Sequence, residues 1–257
     1  MSRIIANDFD RLLDYIRQYS IPTEIQNDAL KRELKNGHKI YLCLLFLWNR
    51  LYCLHSENQL SLCNTSISDT LILNYMEEAI SDIGSGFSCC IHGNYKPAFM
   101  MLRSSIENYL RFTSCEFNHE AKTTTVISNL FEIAKDIPIF ENQNRDYLNQ
   151  LRQIYGELCA YTHTASLTHM TRIHAISHFP RFDREKLVEW NQKALAISNV
   201  ILHSTLLSNR KIYTHAHYKT KEVLEEMLPK TLCRRLNGVD QIYPMPPSLP
   251  AITGTSV

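Results

Sequence analysis

The chain has 257 residues, a mass of 29.9 kDa and 44% apolar residues, enough to fill the core of one large domain or two small ones. Its 27 Lys and Arg balance 26 Asp and Glu to a formal charge of +1, which excludes an overall field that would draw it to nucleic acid or an anionic membrane; only a local patch could do so. The N-terminal segment alternates charged and apolar residues and lacks the uninterrupted apolar core of a secretory signal, and the longest apolar run, 40–48, is too short to span a bilayer, so a cytoplasmic protein without membrane contact is expected.

Apolar residues recur at three and four in nearly every segment, strand-like alternation is scarce, and seven glycines interrupt little, so the fold class is all-α. In chain order the spacing predicts helices over residues 8–19, 24–57 with a break at Asn36-Gly37, 68–92, 97–116, 126–134, 145–162, 183–209 and 219–236. Gly93-Asn94 followed by Pro97 predicts a helix C-cap and an immediate restart, and therefore a tight antiparallel hairpin. The expected architecture is an antiparallel helical bundle over 68–237, with N-terminal helices of 1–67 packing on it and a disordered, Pro-rich C-terminal tail over 238–257. The eight cysteines are scattered through helical stretches with no C-x-x-C pair, which reads as reduced core thiols. Gly84 and Gly86 carry no phosphate-loop pattern and read as sites of close helix packing or a kink.

Residues 98–112 pose the main question, because an apolar helix carries Arg103, Glu107 and Arg111 at four-residue spacing. On a helical wheel Phe99, Leu102, Ile106, Tyr109 and Leu110 share one face; Arg103 lies at its edge, and Glu107 and Arg111 drift outward. Carboxylate and guanidinium groups four apart form ion pairs along a helix, so a structural ladder competes with a catalytic role. The helix predicted over 145–162 has an apolar face of Leu148, Leu151, Ile154, Tyr155 and Leu158, and beside it a stripe of Arg152, Gly156, Cys159 and His163. Small Gly156 and Cys159 would admit a close neighbour, taken here to be the Arg103/Glu107 helix, with Tyr155 and His163 hydrogen-bonding to Glu107 or Arg103.

The run GNYKPAFMMLRSSIENYL followed by IYGELCAYTH resembles bacterial helical proteins with an L-R-x-x-x-E helix and a Y-x-x-L-x-x-x-x-H helix, which are similar to the HEPN-like superfamily. The resemblance covers roughly residues 68–164. It implies a dimeric helical bundle linked to nucleic-acid transactions or phage and stress defence, RNA or an operon-encoded protein as partner, and in active members metal-independent RNA cleavage. Such cleavage needs a base, an acid and a cation at one phosphate, roles that would fall to Arg103, Glu107, Arg111, Tyr155 and His163. Active members place the pair as R-x4–6-H, whereas here Gly156, Glu157 and Leu158 precede His163, and Arg152 lies about 16 Å away along the axis. The spacing recurs at Arg32/His38, Arg50/His55, Arg172/His178 and Arg210 with His215 or His217. Arg103 or Arg111 meeting His163 across helices would rebuild the pair.

His163, His169, His174 and His178 make a histidine-rich stretch, read as solvated loop residues rather than a metal site. Arg172, His174, His178 and Arg181, interleaved with Phe179 and Phe182, are the candidate RNA-binding surface. No cofactor is implied. The competing class is a noncatalytic, dimerising interaction or scaffold protein in which these polar residues are structural.

Overall fold

A computed structural model describes residues 2–18, 28–163 and 182–238. Among them are eleven α-helices and one two-stranded hairpin, an all-α bundle. The long helices are α1 (Arg3–Gln18), α2 (Asp28–Ser56), α3 (Thr70–Ile91), α4 (Tyr95–Ser114), α6 (Ile127–Lys135), α7 (Arg145–His163) and α8 (Arg184–Ser208), with α5 (Glu120–Thr123) a single turn. The short α9 (Lys211–Thr214) follows α8, and the helix expected over 219–236 is instead divided into α10 (Tyr218–Leu224) and α11 (Lys230–Leu236). Pro229 stands at the N-cap of α11, where its missing N–H costs no intrahelical bond. The residues of the Pro-rich tail beyond 238 lie outside the described residues, as do Arg172, His174, His178 and Arg181.

α3 and α4 form the expected antiparallel hairpin, which carries the most extensive helix–helix contact in the fold. Gly93 takes φ 75°, its N–H donates to Cys90 O at 3.0 Å, and Asn94 N–H donates to Cys89 O at 2.8 Å. This is a Schellman closure, in which a left-handed residue lets the chain return over the last helical turn.

The anticipated break at Asn36-Gly37 does not occur; α2 runs straight through it. A Cβ on Gly37 would stand 2.4 Å from Phe87 Cε2 and 2.8 Å from Asn191 Oδ1, so this glycine serves the contact of α2 with α3 and α8. Gly84 similarly receives the Tyr41 ring, and Gly86 lies against Ala98 O and Trp190. Trp190 of α8 is fully buried, stacks on Phe87 with centroids 5.9 Å apart, and donates from Nε1 to Ala98 O at 3.2 Å. One apolar core consequently runs from Ile5 of α1 to Leu236 of α11, across the 67/68 boundary.

The hairpin β1 (Ser61–Leu62) and β2 (Thr65–Ser66) turns through Cys63 and Asn64, both with positive φ. Cys63 N–H donates to Ser208 O and Asn209 Nδ2 to Ser61 O, which docks the hairpin on the C-terminal end of α8. All eight cysteines are free, but only Cys43, Cys90 and Cys115 are buried in the core; Cys63, Cys89, Cys159 and Cys233 are partly exposed and Cys53 is exposed.

These contacts predict opposite signs for two Gly→Ala changes. Gly37→Ala should lower stability by about 1–2 kcal/mol, because overpacking outweighs the gain in helix propensity. Gly156→Ala, with nothing within 4 Å of the added Cβ, should raise it by about 0.5–1 kcal/mol. Urea midpoints of the two variants check the pair.

Candidate functional site

α4 and α7 pack against each other as anticipated, and the contacts show their direction: Phe99 stacks on Tyr161 with centroids 4.1 Å apart, while Arg103, one turn on, meets Tyr155. The helices therefore run antiparallel. Arg103 Nε donates to Tyr155 Oη at 2.9 Å, Tyr155 Oη donates to Glu107 Oε1 at 2.9 Å, and Arg103 Nη2 lies 3.2 Å from the same carboxylate oxygen. The three side chains form a closed ring of bonds across two helices. The Arg103 guanidinium also sits 5.1 Å from the centre of the Tyr155 ring, a cation–π contact.

This triangle is half-buried, with the Arg103 and Glu107 side chains 27% and 25% exposed. Burial and the Glu107 carboxylate push the Tyr155 phenol well above its ordinary value, against the opposing pull of Arg103. Tyr155 therefore stays a protonated bridge. Beneath it Phe131 of α6 packs edge-on at 5.7 Å, and Arg152 covers Phe131 at 5.1 Å while donating to Glu132 at 2.8 Å. The ladder thus ties α4, α6 and α7 together.

Next to it lies a second polar group that sequence reasoning overlooked. Asp82 of α3 is buried, accepts from Asn108 Nδ2 at 3.0 Å, and has its carboxyl raised chiefly by desolvation. Its signal in the sequence was a carboxylate amid the apolar positions Met76, Ala79, Ile80, Ile83 and Phe87.

The other candidates go elsewhere. Arg111 Nη1 and Nη2 donate to Ala121 O at 2.8 Å and Thr124 O at 3.0 Å, closing the C-terminal end of α5. His163 is exposed at the last residue of α7, eight residues and about 12 Å along the axis from Tyr155. Because α4 and α7 are antiparallel, Arg111 and His163 lie at opposite ends of the pair, so they do not rebuild the arginine–histidine unit. The anticipated role of Gly156 is also corrected: it faces open space, and Arg152 turns to α6 rather than α4. Tyr155, on the apolar face, makes the contact instead.

Of the remaining R-x4–6-H arginines, Arg50 and Arg210 likewise donate to main-chain carbonyls. Arg210 donates twice to Leu236 O at the end of α11, and Arg50 Nε donates to Ile212 O. His217 caps the N–H of Lys219, and His55 approaches Ser68 O at 3.3 Å. Arg32 lies beside Glu33 at 3.6 Å, and His38 turns to Asp8 of α1. Arg172 and His178 lie outside the described residues. Among the described residues no group of three His, Cys, Asp or Glu side chains converges as a metal site, and no helix is long and apolar enough to cross a membrane.

The chain matches no protein-family model, no curated protein and no solved structure.

Two predictions follow from this geometry. Tyr155→Phe removes the bridge while keeping its ring on Phe131, and should cost about 1–2 kcal/mol in urea unfolding. His38 and His203 are both buried, and desolvation lowers the pKa of each below 6.5. The unfolded chain then binds more protons than the native one as pH falls below 6.5. Stability should accordingly drop between pH 7.5 and 5.5, by up to about 1.4 kcal/mol per pH unit for each histidine. Ring-proton NMR titration should place both midpoints below 6.5; midpoints above it would reverse the sign.

Proposed function

We propose that the protein is a noncatalytic, HEPN-like interaction module that self-associates, and that its charged helix holds the bundle in register. The observation that carries this reading is that Arg103, Glu107 and Tyr155 satisfy one another, while Arg111 is committed to two backbone carbonyls. A ribonuclease site would need a free cation, a base and an acid converging on one phosphate. The side chains expected to supply them are bound to each other or separated along α7. Tyr52 on α2, 55% exposed and 6.1 Å between centroids from the partly buried Trp48, supplies an aromatic surface of the kind protein contacts favour and supports a protein partner. A defence or stress role alongside an operon-encoded protein belongs to the same proposal.

The test has two arms. Purified protein, incubated in EDTA with structured and single-stranded RNA, should cleave none of them, and sedimentation at micromolar concentration should show a dimer. Cleavage by the wild type that disappears in a folded His163→Ala variant would overturn the noncatalytic reading and restore the ribonuclease. A monomer at every concentration would overturn self-association.

A further inference from the structure

Independently of that reading, α1, α2 and α3 line a half-open cavity of about 330 Å³, a size typical of small-molecule sites. Its walls are mostly apolar, formed by Leu12 of α1, Leu42 and Leu45 of α2, and Phe87 and Ile91 of α3. Asp8, Arg11, His38, Tyr41 and Ser88 add polar atoms to this lining. A pocket of that composition has room for an apolar body and the means to orient one polar head.

The polar groups decide which head fits. His38 is buried, and its Nε2 lies 2.9 Å from Asp8 Oδ2. The histidine is thereby held as the donor that positions Asp8. Asp8 Oδ1 has only a loose contact, 3.5 Å from Arg11 Nη1, on a guanidinium side chain that is 84% exposed. One carboxylate oxygen is therefore left weakly partnered at the cavity. Tyr41 sits over Gly84, where a Cβ would stand 2.5 Å from its Cζ and 2.8 Å from its Oη. The glycine makes the recess that holds the phenol, and Tyr41 Oη has no hydrogen bond to a described residue. His38 and Tyr41 are three residues apart on α2, so they share a face.

We propose that this cavity binds a small primary amine with an aromatic or branched apolar body, the ammonium held by Asp8 and the body seated among Leu12, Leu45, Phe87 and Ile91. Tyr41 Oη offers a further acceptor for the same head. A carboxylate in that position would meet Asp8 like to like, and an alcohol could donate to the Asp8 carboxylate but would form no ion pair with it. Burial lowers the basicity of His38, so the imidazole stays neutral near pH 7, and the cation on the described lining is Arg11, whose side chain is 84% exposed and holds Asp8 only at 3.5 Å.

Three probes with one body and different heads separate the possibilities: phenethylamine, 2-phenylethanol and phenylacetate, titrated calorimetrically and by ligand-observed NMR into the full chain. Phenethylamine should bind with Kd below about 1 mM, the alcohol about tenfold more weakly or worse, and phenylacetate not at all. Asp8→Asn, which keeps the shape, should weaken the amine about tenfold and the alcohol by less. Leu45→Trp, at a half-exposed position, should fill the cavity and abolish both; circular dichroism checks that each variant folds. Failure of phenethylamine to bind overturns the proposal. So does equal binding of the alcohol or the acid, or undiminished amine binding by folded Asp8→Asn.

Discussion

Burial of α4 is the constraint on which the rest of the structure depends. This helix packs against α3, α6, α7 and α8 at once, so few of its side chains can look to water for hydrogen bonds. Yet it carries Arg103, Ser105, Glu107, Asn108, Tyr109, Arg111 and Thr113. Polar groups in such a place must find partners within the protein or incur a desolvation cost. α3, α7, α8 and the end of α5 supply most of them, while Ser114 Oγ is buried without one. Ser105 donates to Ala79 O, Asn108 to Asp82, and Tyr109 hydrogen-bonds with Ser204 and Thr205, while Thr113 bonds back to its own helix. Arg103 and Glu107 find Tyr155, and Arg111 finds the end of α5. These bonds are directional where apolar packing is not, so they select one rotation and one axial position of α4 among its neighbours.

The same economy governs the cations elsewhere in the chain. Arg50, Arg111, Arg210 and Lys221 each donate to a main-chain carbonyl, with Lys221 reaching Thr214 O at the end of α9. Helices as short as α5, α9 and α11 have little internal hydrogen bonding to sustain them, and their terminal carbonyls are electronegative. A side-chain cation satisfies both needs. Arg50 and Arg210, which a motif search would mark as nucleolytic, are thus accounted for by their bonds to the carbonyls of short helices.

The long helices were legible because apolar period and capping residues agree along them; α7 begins at Arg145 as the pattern predicts, and Gly93 closes α3 as expected. Pairing of α4 with α7 through Tyr155 was legible too, since both helices place polar groups at the edge of an apolar face. Gly156 misled because a small residue on a helix signals either close packing or plain exposure, and only its neighbours decide which. Asn36-Gly37 misled in the opposite direction: a local breaker signal was overridden by the need for Phe87 and Asn191 to approach. The β1–β2 hairpin was missed because two-residue strands have no period, and Cys63 is an unusual residue for a left-handed turn. The pairing of His38 with Asp8 joins residues 30 apart, a separation that no local pattern encodes.

The central claim is that Arg103, Glu107 and Tyr155 act as a structural clamp between α4 and α7. A double-mutant cycle measures this most directly, using urea unfolding of Arg103→Met, Tyr155→Phe and the double variant. A clamp predicts that the two losses are coupled by about 1 kcal/mol, because removing either partner already opens the ring. Strictly additive effects, with coupling within about 0.3 kcal/mol of zero, would contradict it.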